Sequence, residues 1–450
     1  MYKKLSRITT AIWVTLVLAA GFALWRILPD SIRKAIEPTA LAATLTVNTA
    51  DDHNDGVCNA ADCTLREAIN AAKAGDTISL NIPGAGVHTI NATSGFSITN
   101  AVTIDGTTQS GFAGAPLIEI NGAGAGAGVN GFAINAPNVI IRGFIINRFS
   151  AYAITFDSFG NDTVQSCYIG TNAAGTAASA NLAGGIRINS PNITIGGITS
   201  GAGNVISGNK GNGIDILVGN ATIQGNFIGI NSAGTTKVSN ASGVVIRAAN
   251  NIIGGTTIGA RNLISGNAEA GVRILDAGAT NNFVQGNFIG TDATGTVKYA
   301  CGAIGCANLI GNSNGIEVLT GAQSTTIGGT ATGARNVITG NLGSGVSVSG
   351  GIVTSIVGNF IGLDADGIST HGNHVNGVRI SAGSVTVGGT EPGTRNVISG
   401  NGVILPDRPR PEQFAIGSGI LISGGSGSQI LGNFIGTNAD GTARSSRIWR

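Results

Sequence analysis

The sequence predicts an all-β chain: a right-handed parallel β-helix, or solenoid, with an N-terminal helical cap. Three observations carry that expectation. Charged residues make up 11% of the 450-residue chain, against a usual figure of about 25%. Glycine supplies 73 residues and aromatics only 5%, yet mean hydropathy is +0.27 because Ile, Val and Ala are abundant. A Gly-apolar-x-apolar segment recurs at intervals of 28 to 44 residues. Disordered chains lack the Ile and Val and carry more charge. Collagen needs glycine at every third residue. A helical bundle needs far more Glu, Lys and Leu. Short buried strands joined by tight turns remain.

The chain reads as residues 1–42, a signal peptide or membrane anchor; 43–110, an N-terminal cap; and 111–450, the repeats. Lys3, Lys4 and Arg7 precede an apolar run from Ile8 to Trp25, and Ala40-Leu41-Ala42 precedes the alternating Thr44-Leu45-Thr46-Val47. That is the layout of a secretory signal cleaved near Ala42. Residues 8–28 are also long enough to cross a bilayer uncleaved, and this is the one route to a membrane. Either reading exports the body, to the cell surface or beyond. Residues 1–42 carry a formal charge of +4 and the rest −2, so the body offers no electrostatic footprint for nucleic acid.

Cys58/Cys63 and Cys301/Cys306 share the spacing Cys-x4-Cys in loop-like sequence. Outside the cytoplasm, this reads as two local disulfides, Cys58–Cys63 and Cys301–Cys306. Thr64-Leu65-Arg66-Glu67 is a capping box. Leu65, Ala68, Ile69 and Ala72 form one helical face, with Gly75 as the stop. The helix is expected over the open end of the first coil, since a solenoid needs a cap there.

The repeat begins loosely at Gly131-Phe132-Ala133-Ile134 and continues through Gly185, Gly213, Gly243, Gly271, Gly315, Gly345, Gly377 and Gly419. Two rung types alternate. One has a loop before its second strand, as in Ile253-Gly254-Gly255 to Arg261-Asn262-Leu263-Ile264. The other has a loop after it, as in Val284-Gln285-Gly286-Asn287-Phe288-Ile289-Gly290 followed by Thr291 to Thr296. Strands so short cannot bury a face alone, but stacked coils share one core. A propeller needs four strands per blade, and these rungs hold three. Asn204, Asn226, Asn262, Asn287, Asn336, Asn359, Asn396 and Asn433 fall at one turn position, where amides can stack as a ladder. Cys167 occupies the same position, which makes it a buried thiol.

Cys63-Thr64-Leu65-Arg66-Glu67-Ala68, preceded by Thr46-Val47-Asn48-Thr49-Ala50-Asp51 and Asp55-Gly56, resembles the CSLREA-domain proteins of bacterial surfaces over about 30 residues. Thr64 stands for the Ser of that motif, and both residues cap a helix. The rungs beyond it resemble the β-helix repeats of the pectin-lyase-like fold. The resemblance implies an exported surface protein of a family without an established activity, and fold transfers more safely than function.

No catalytic set emerges. Polygalacturonase-like motifs are missing from the coils. The outward column Ala133, Thr155, Arg187, Asp215, Val245, Arg273, Glu317, Ser347, Arg379, Leu421 sets Asp215 and Glu317 three rungs apart, roughly 14 Å. That is too far for a glycosidase carboxylate pair. Arg187 is expected to pair with Asp215, and Arg273 with Glu317. Arg261, Arg335 and Arg395 recur in every second rung, about 9.6 Å apart. They form a basic ridge suited to an anionic glycan on a polysaccharide or neighbouring surface. The plainer alternative is that each arginine bonds its own loop carbonyls. Asp292, Asp364 with Asp366, and Asp440 would make an acidic ridge beside it, or Asx-turns. No cofactor is expected. If an ion binds, it is Ca²⁺ at the Asp-rich turn, with Asp51 and Asp55 as ligands, although the spacing departs from an EF-hand. His371 and His374 show no third ligand for zinc. The leading reading is a non-catalytic, adhesin-like surface scaffold; the alternative is a polysaccharide lyase or glycoside hydrolase.

Overall fold

The computed structural model describes residues 42–297, 309–402 and 417–444, and the backbone of 300–302 and 305–307. The expected signal or anchor, residues 403–416 with the proline-rich stretch Pro406-Asp407-Arg408-Pro409-Arg410-Pro411, and the chain's last six residues lie outside the described residues. So do the Cys301 and Cys306 side chains and their expected disulfide.

From Ala43 onward the chain forms one compact unit. Each coil contributes one strand to each of three sheets, here called A, B and C in the order the chain visits them. Among the described residues these hold 13, 12 and 11 strands. Every strand of these three sheets pairs in parallel with its equivalent one coil away, as in Arg187↔Asp215 and Phe227↔Leu263, while Ala300–Gly302 and Gly305–Ala307 form a separate antiparallel pair. The thirteen strands of sheet A run roughly 58 Å at ~4.8 Å per rung. Parallel connections of this kind are right-handed, and the molecule is a right-handed parallel β-helix. Its ladder runs without interruption across residue 110, from β1 (Thr44–Val47) through Thr77–Leu80 and Thr103–Asp105 to Ile140–Arg142.

Period-2 alternation places one residue type inside. Ile154, Ile186, Ile214, Val244, Val272, Ile316, Val346 and Val378 align in register and are fully buried. The residues between them stack outward in the expected column, from Ala133 to Leu421. Gly254 shows why glycine marks the corners. It sits at φ +92°, and a Cβ there would run into the Gln285 carbonyl of the next coil.

The cap forms as expected. Helix α1 (Leu65–Ala71) starts at Thr64, whose hydroxyl accepts the Glu67 N–H while Glu67 accepts the Thr64 N–H. Leu65, Ala68, Ile69 and Ala72 join the main core, and α1 packs on β1 and on the sheet C edge strand Phe96–Ile98. The helix ends at Ala72, three residues before Gly75, because Ala72 is already extended. Cys58 and Cys63 form a disulfide just ahead of the cap. Asp52 holds Arg66 through two hydrogen bonds of 2.9 and 2.7 Å. Burial alone would raise the Glu67 pKa, but N–H donors from Thr64 and Asp55 hold it at about 2.

The asparagine ladder is continuous. From Asn204 to Asn396, each residue donates its backbone N–H and its Nδ2 to the Oδ1 of the next, ending at Asn433. Each Nδ2 also reaches a strand carbonyl, as Asn226 reaches Ile195 at 2.9 Å. Cys167 occupies the preceding rung, where its N–H donates to Asn204 Oδ1. Burial pushes its thiol up to about 12, so it is inert packing. A second ladder, not anticipated, lines the corner between sheets B and C: Asn181, Asn209, Asn240, Asn267, Asn312, Asn341, Asn373 and Asn401.

Candidate functional site

Two polar columns run along the outside, and their chemistry differs. On sheet C the outward residues from Tyr152 to Glu317 form a connected set of hydrogen bonds and ion pairs, with Arg187 engaged only through a ring. Tyr152 donates its hydroxyl to Asp215 at 2.9 Å, and Asn212 donates to the other Asp215 oxygen at 2.7 Å. The chain of contacts continues through Ser242, Glu269, Arg273, Glu317 and Asn314 to the Ser344 N–H. Arg273 meets Glu317 at 2.8 Å, as the register suggested. The expected Arg187–Asp215 pair does not form. Tyr152 reaches across the glycine at 184 and takes Asp215 first, while Arg187 lies over the tyrosine ring, 5.8 Å from its centroid. Burial, then the Asp215 charge, push the Tyr152 phenol up to about 12. It is a hydrogen-bond donor there, not a base.

The corner between sheets A and B is organised differently. Residues preceding the ladder asparagines alternate: Arg261, Gly286, Arg335, Gly358, Arg395, Gly432. Each arginine donates Nε to the carbonyl of the following glycine, at 3.2, 3.1 and 2.9 Å. Each guanidinium also lies over the ring of a phenylalanine of that next rung: Phe288, Phe360 and Phe434, at 4.0, 4.1 and 4.1 Å from the centroids. Their Nη groups have no protein hydrogen-bond partner among the described residues, and Arg335 and Arg395 are exposed while Arg261 is half-buried. Burial lowers the pKa of Arg261 and Arg335, but a guanidinium stays charged in a protein. The carbonyl contacts of the plainer reading therefore exist, and each uses one donor of the five.

The phenylalanines belong to an outer core that the sequence reading missed. The first residues of the sheet B strands alternate aromatic and aliphatic along the rod: Phe227, Leu263, Phe288, Val337, Phe360, Val397, Phe434. The loops after sheet B cover them and stack on one another, with Ala293, Ala365 and Ala439 donating to the carbonyls of Gly234, Gly295 and Gly367. The acidic ridge does not form for this reason. Asp292 and Asp364 are buried beneath the loops they shape. Asp292 accepts the Thr294 and Thr296 N–H groups, and Asp364 contacts His371 Nδ1 at 2.8 Å. Asp366 closes its own turn through the Ile368 and Ser369 N–H groups. The alternation of Phe with Leu or Val was the available signal.

At the cap, Asp55 comes together with His53 and Glu67, their ligand atoms within 4.8 Å of one another. Asp51 is not in that group. Asp62 binds His53 Nε2 at 2.9 Å, and Glu67 is already engaged by two N–H groups.

No protein-family model matches the chain, and no curated protein matches it. Among solved structures it is similar to the A-module of the mannuronan C-5 epimerase AlgE6 of Azotobacter vinelandii, with 15% identity and a TM-score of 0.41 over 82% of this chain and 93% of that one. It is also similar to the pectate lyase Pel9A, with 14% identity and a TM-score of 0.33 over 90% and 82%. A third is the Dettilon tailspike protein, with 15% identity and a TM-score of 0.37 over 82% of this chain and 63% of that chain.

Proposed function

We propose that the protein is a non-catalytic, exported surface scaffold that binds an anionic glycan through Arg261, Arg335 and Arg395. One observation carries the reading: three guanidinium groups, each held by one carbonyl and one ring, keep their Nη donors free in a single line. Guanidinium forks pair with carboxylates in two-bond fashion. The Cys58–Cys63 disulfide supports an oxidising compartment, and the Thr64–Glu67 cap supports the CSLREA-type surface assignment. On sheet C, by contrast, Asp215, Glu269, Arg273 and Glu317 are engaged with one another or with Tyr152, Asn212, Ser242 and Asn314.

The test is affinity electrophoresis of the full chain through gels containing acidic or neutral polysaccharide, with a parallel assay for reducing ends and unsaturated product. The expected outcome is retardation by the acidic polymer alone, weakened in Arg335→Ala, with no product with or without Ca²⁺. Product from the wild type that Arg335→Ala abolishes would replace the scaffold with an enzyme.

A further inference from the structure

We infer that the ligand of this corner is a linear polysaccharide with a carboxylate on every second sugar, lying parallel to the rod axis. The inference rests on the anionic-glycan reading and adds the spacing. The ladder Asn262, Asn287, Asn336, Asn359, Asn396 places one rung between each arginine and the next. The cations therefore recur about every 9.6 Å, over roughly 19 Å from Arg261 to Arg395. Their spacing cannot adapt, because each Nε is tied to a backbone carbonyl and each guanidinium is stacked on a ring.

The equivalent positions of the intervening rungs carry no side chain of their own, and each guanidinium leans onto the rung that follows it. Gly286 and Gly358 stand at φ +72° and +73°, and a Cβ on either would collide with the Gly255 or Gly329 carbonyl. No side chain can be added there cheaply, so the track is fixed as cation, gap, cation, gap, cation. An extended pyranose unit is close to one rung in length. A polymer with carboxylates on alternate sugars puts each charge on a guanidinium and each neutral sugar between two of them. A polymer charged at every sugar sets half its carboxylates between successive guanidiniums, with no cation of their own.

The test is binding of the full chain to hyaluronan oligosaccharides, which alternate a uronic acid with a neutral amino sugar, at two, four, six and eight sugars. Oligogalacturonides of equal length, charged at every sugar, and a single-stranded oligonucleotide run beside them. The expected result is affinity that climbs to six sugars, where three carboxylates meet three arginines, and then levels off. The six-sugar hyaluronan fragment binds more tightly than the galacturonide of that length. Arg335→Gln, the central position, lowers six-sugar affinity roughly fivefold, about 1 kcal/mol, lowers two-sugar affinity by only about a third because two equivalent sites remain, and leaves thermal unfolding near wild type. Equal or tighter binding of the galacturonide overturns the spacing and leaves the glycan reading standing. An oligonucleotide bound as tightly as the hyaluronan fragment overturns it in favour of a generic polyanion surface. Retention of neither glycan removes both.

Discussion

The corner between sheets A and B and the corner between sheets C and A perform the same turn in every coil, yet they are built to different standards. At the first, asparagine follows asparagine from Asn204 to Asn433, and each link both donates and accepts. At the second, the equivalent positions are Val139, Asp162, Ile193, Ala221, Asn251, Asn282, Thr325 and Thr354. Asp162 accepts the Val139 N–H, Asn251 that of Ala221, and Asn282 that of Asn251. There the column stops. Asp162 Oδ2, Thr325 Oγ1 and Thr354 Oγ1 are buried without a hydrogen-bond partner. A side chain that only accepts cannot pass the bond on, and a threonine hydroxyl is too short to reach the next rung. An amide is the residue that lets a solenoid corner propagate.

The largest effect is expected from breaking the complete column. Asn287→Ala removes the acceptor of Asn262 Nδ2 at 2.9 Å and the donors to Asn336 Oδ1 and the Ile253 carbonyl. Leaving buried amides and carbonyls unpaired costs on the order of 3 kcal/mol. The denaturation midpoint should fall accordingly, with hydrogen exchange accelerated in the two flanking coils first, since each rung leans on its neighbours. A loss below about 1 kcal/mol would mean that the ladder decorates the corner and does not hold it.

Repairing the incomplete column is the next test, with the opposite sign. Burial pushes the Asp162 carboxyl up to about 6, from an ordinary 3.8. The folded state therefore holds its proton more tightly than the unfolded chain. The contribution of Asp162 to stability is fullest below pH 4, falls as pH rises towards 6, and stays reduced above it. Asp162→Asn removes that dependence and should stabilise the protein by on the order of 1–2 kcal/mol at pH 7.5. At pH 3.5 the two proteins should unfold alike. A variant no more stable than wild type at pH 7.5 would show that Asp162 is solvated in a way its full burial contradicts.

Thr325→Asn extends the same repair by one rung. An amide at 325 can accept the Asn282 N–H, as Asn282 accepts that of Asn251 at 2.9 Å. It also removes a hydroxyl with no partner. The gain should be about 1 kcal/mol in thermal or denaturant unfolding. Destabilisation by that much would show that the corner is too tight there for an amide.

Much of this was legible beforehand because it depends on period alone. The Gly-apolar-x-apolar recurrence gave the register of sheet C residue by residue, and Asn204 to Asn433 could be aligned by eye. The second ladder carried a comparable signal, in Ser265-Gly266-Asn267, Thr339-Gly340-Asn341 and Ser399-Gly400-Asn401, but loops of unequal length hide its period. What period cannot show is lateral competition. Tyr152 takes Asp215 from Arg187 because its ring crosses a glycine two columns away. The arginine ridge was readable as a spacing; its partners were not, since Phe288, Phe360 and Phe434 lie one rung further on and read as ordinary core. Asp292 and Asp364 looked exposed because loops usually are, and here the loops close over an outer core of their own.

The smallest expected effect probes the backbone of the incomplete corner. Just before each of its column positions the chain is left-handed, at Asn138, Asn161, Asn192, Asn220, Asn250, Asn281 and Ser324, with φ between +49° and +65°. Asparagine tolerates that region because its side chain hydrogen-bonds locally. The eighth position is Val353, at φ +55°, where a β-branched side chain meets its own backbone. It is also 61% exposed, so it recovers little by burial. Val353→Asn should therefore stabilise the protein by about 0.5–1 kcal/mol through backbone relief alone, and Val353→Gly by less, because glycine loosens the unfolded chain. If both variants were instead less stable than wild type, the strain at φ +55° would be too small to govern the corner, and the valine's stiffness and partial burial would outweigh it.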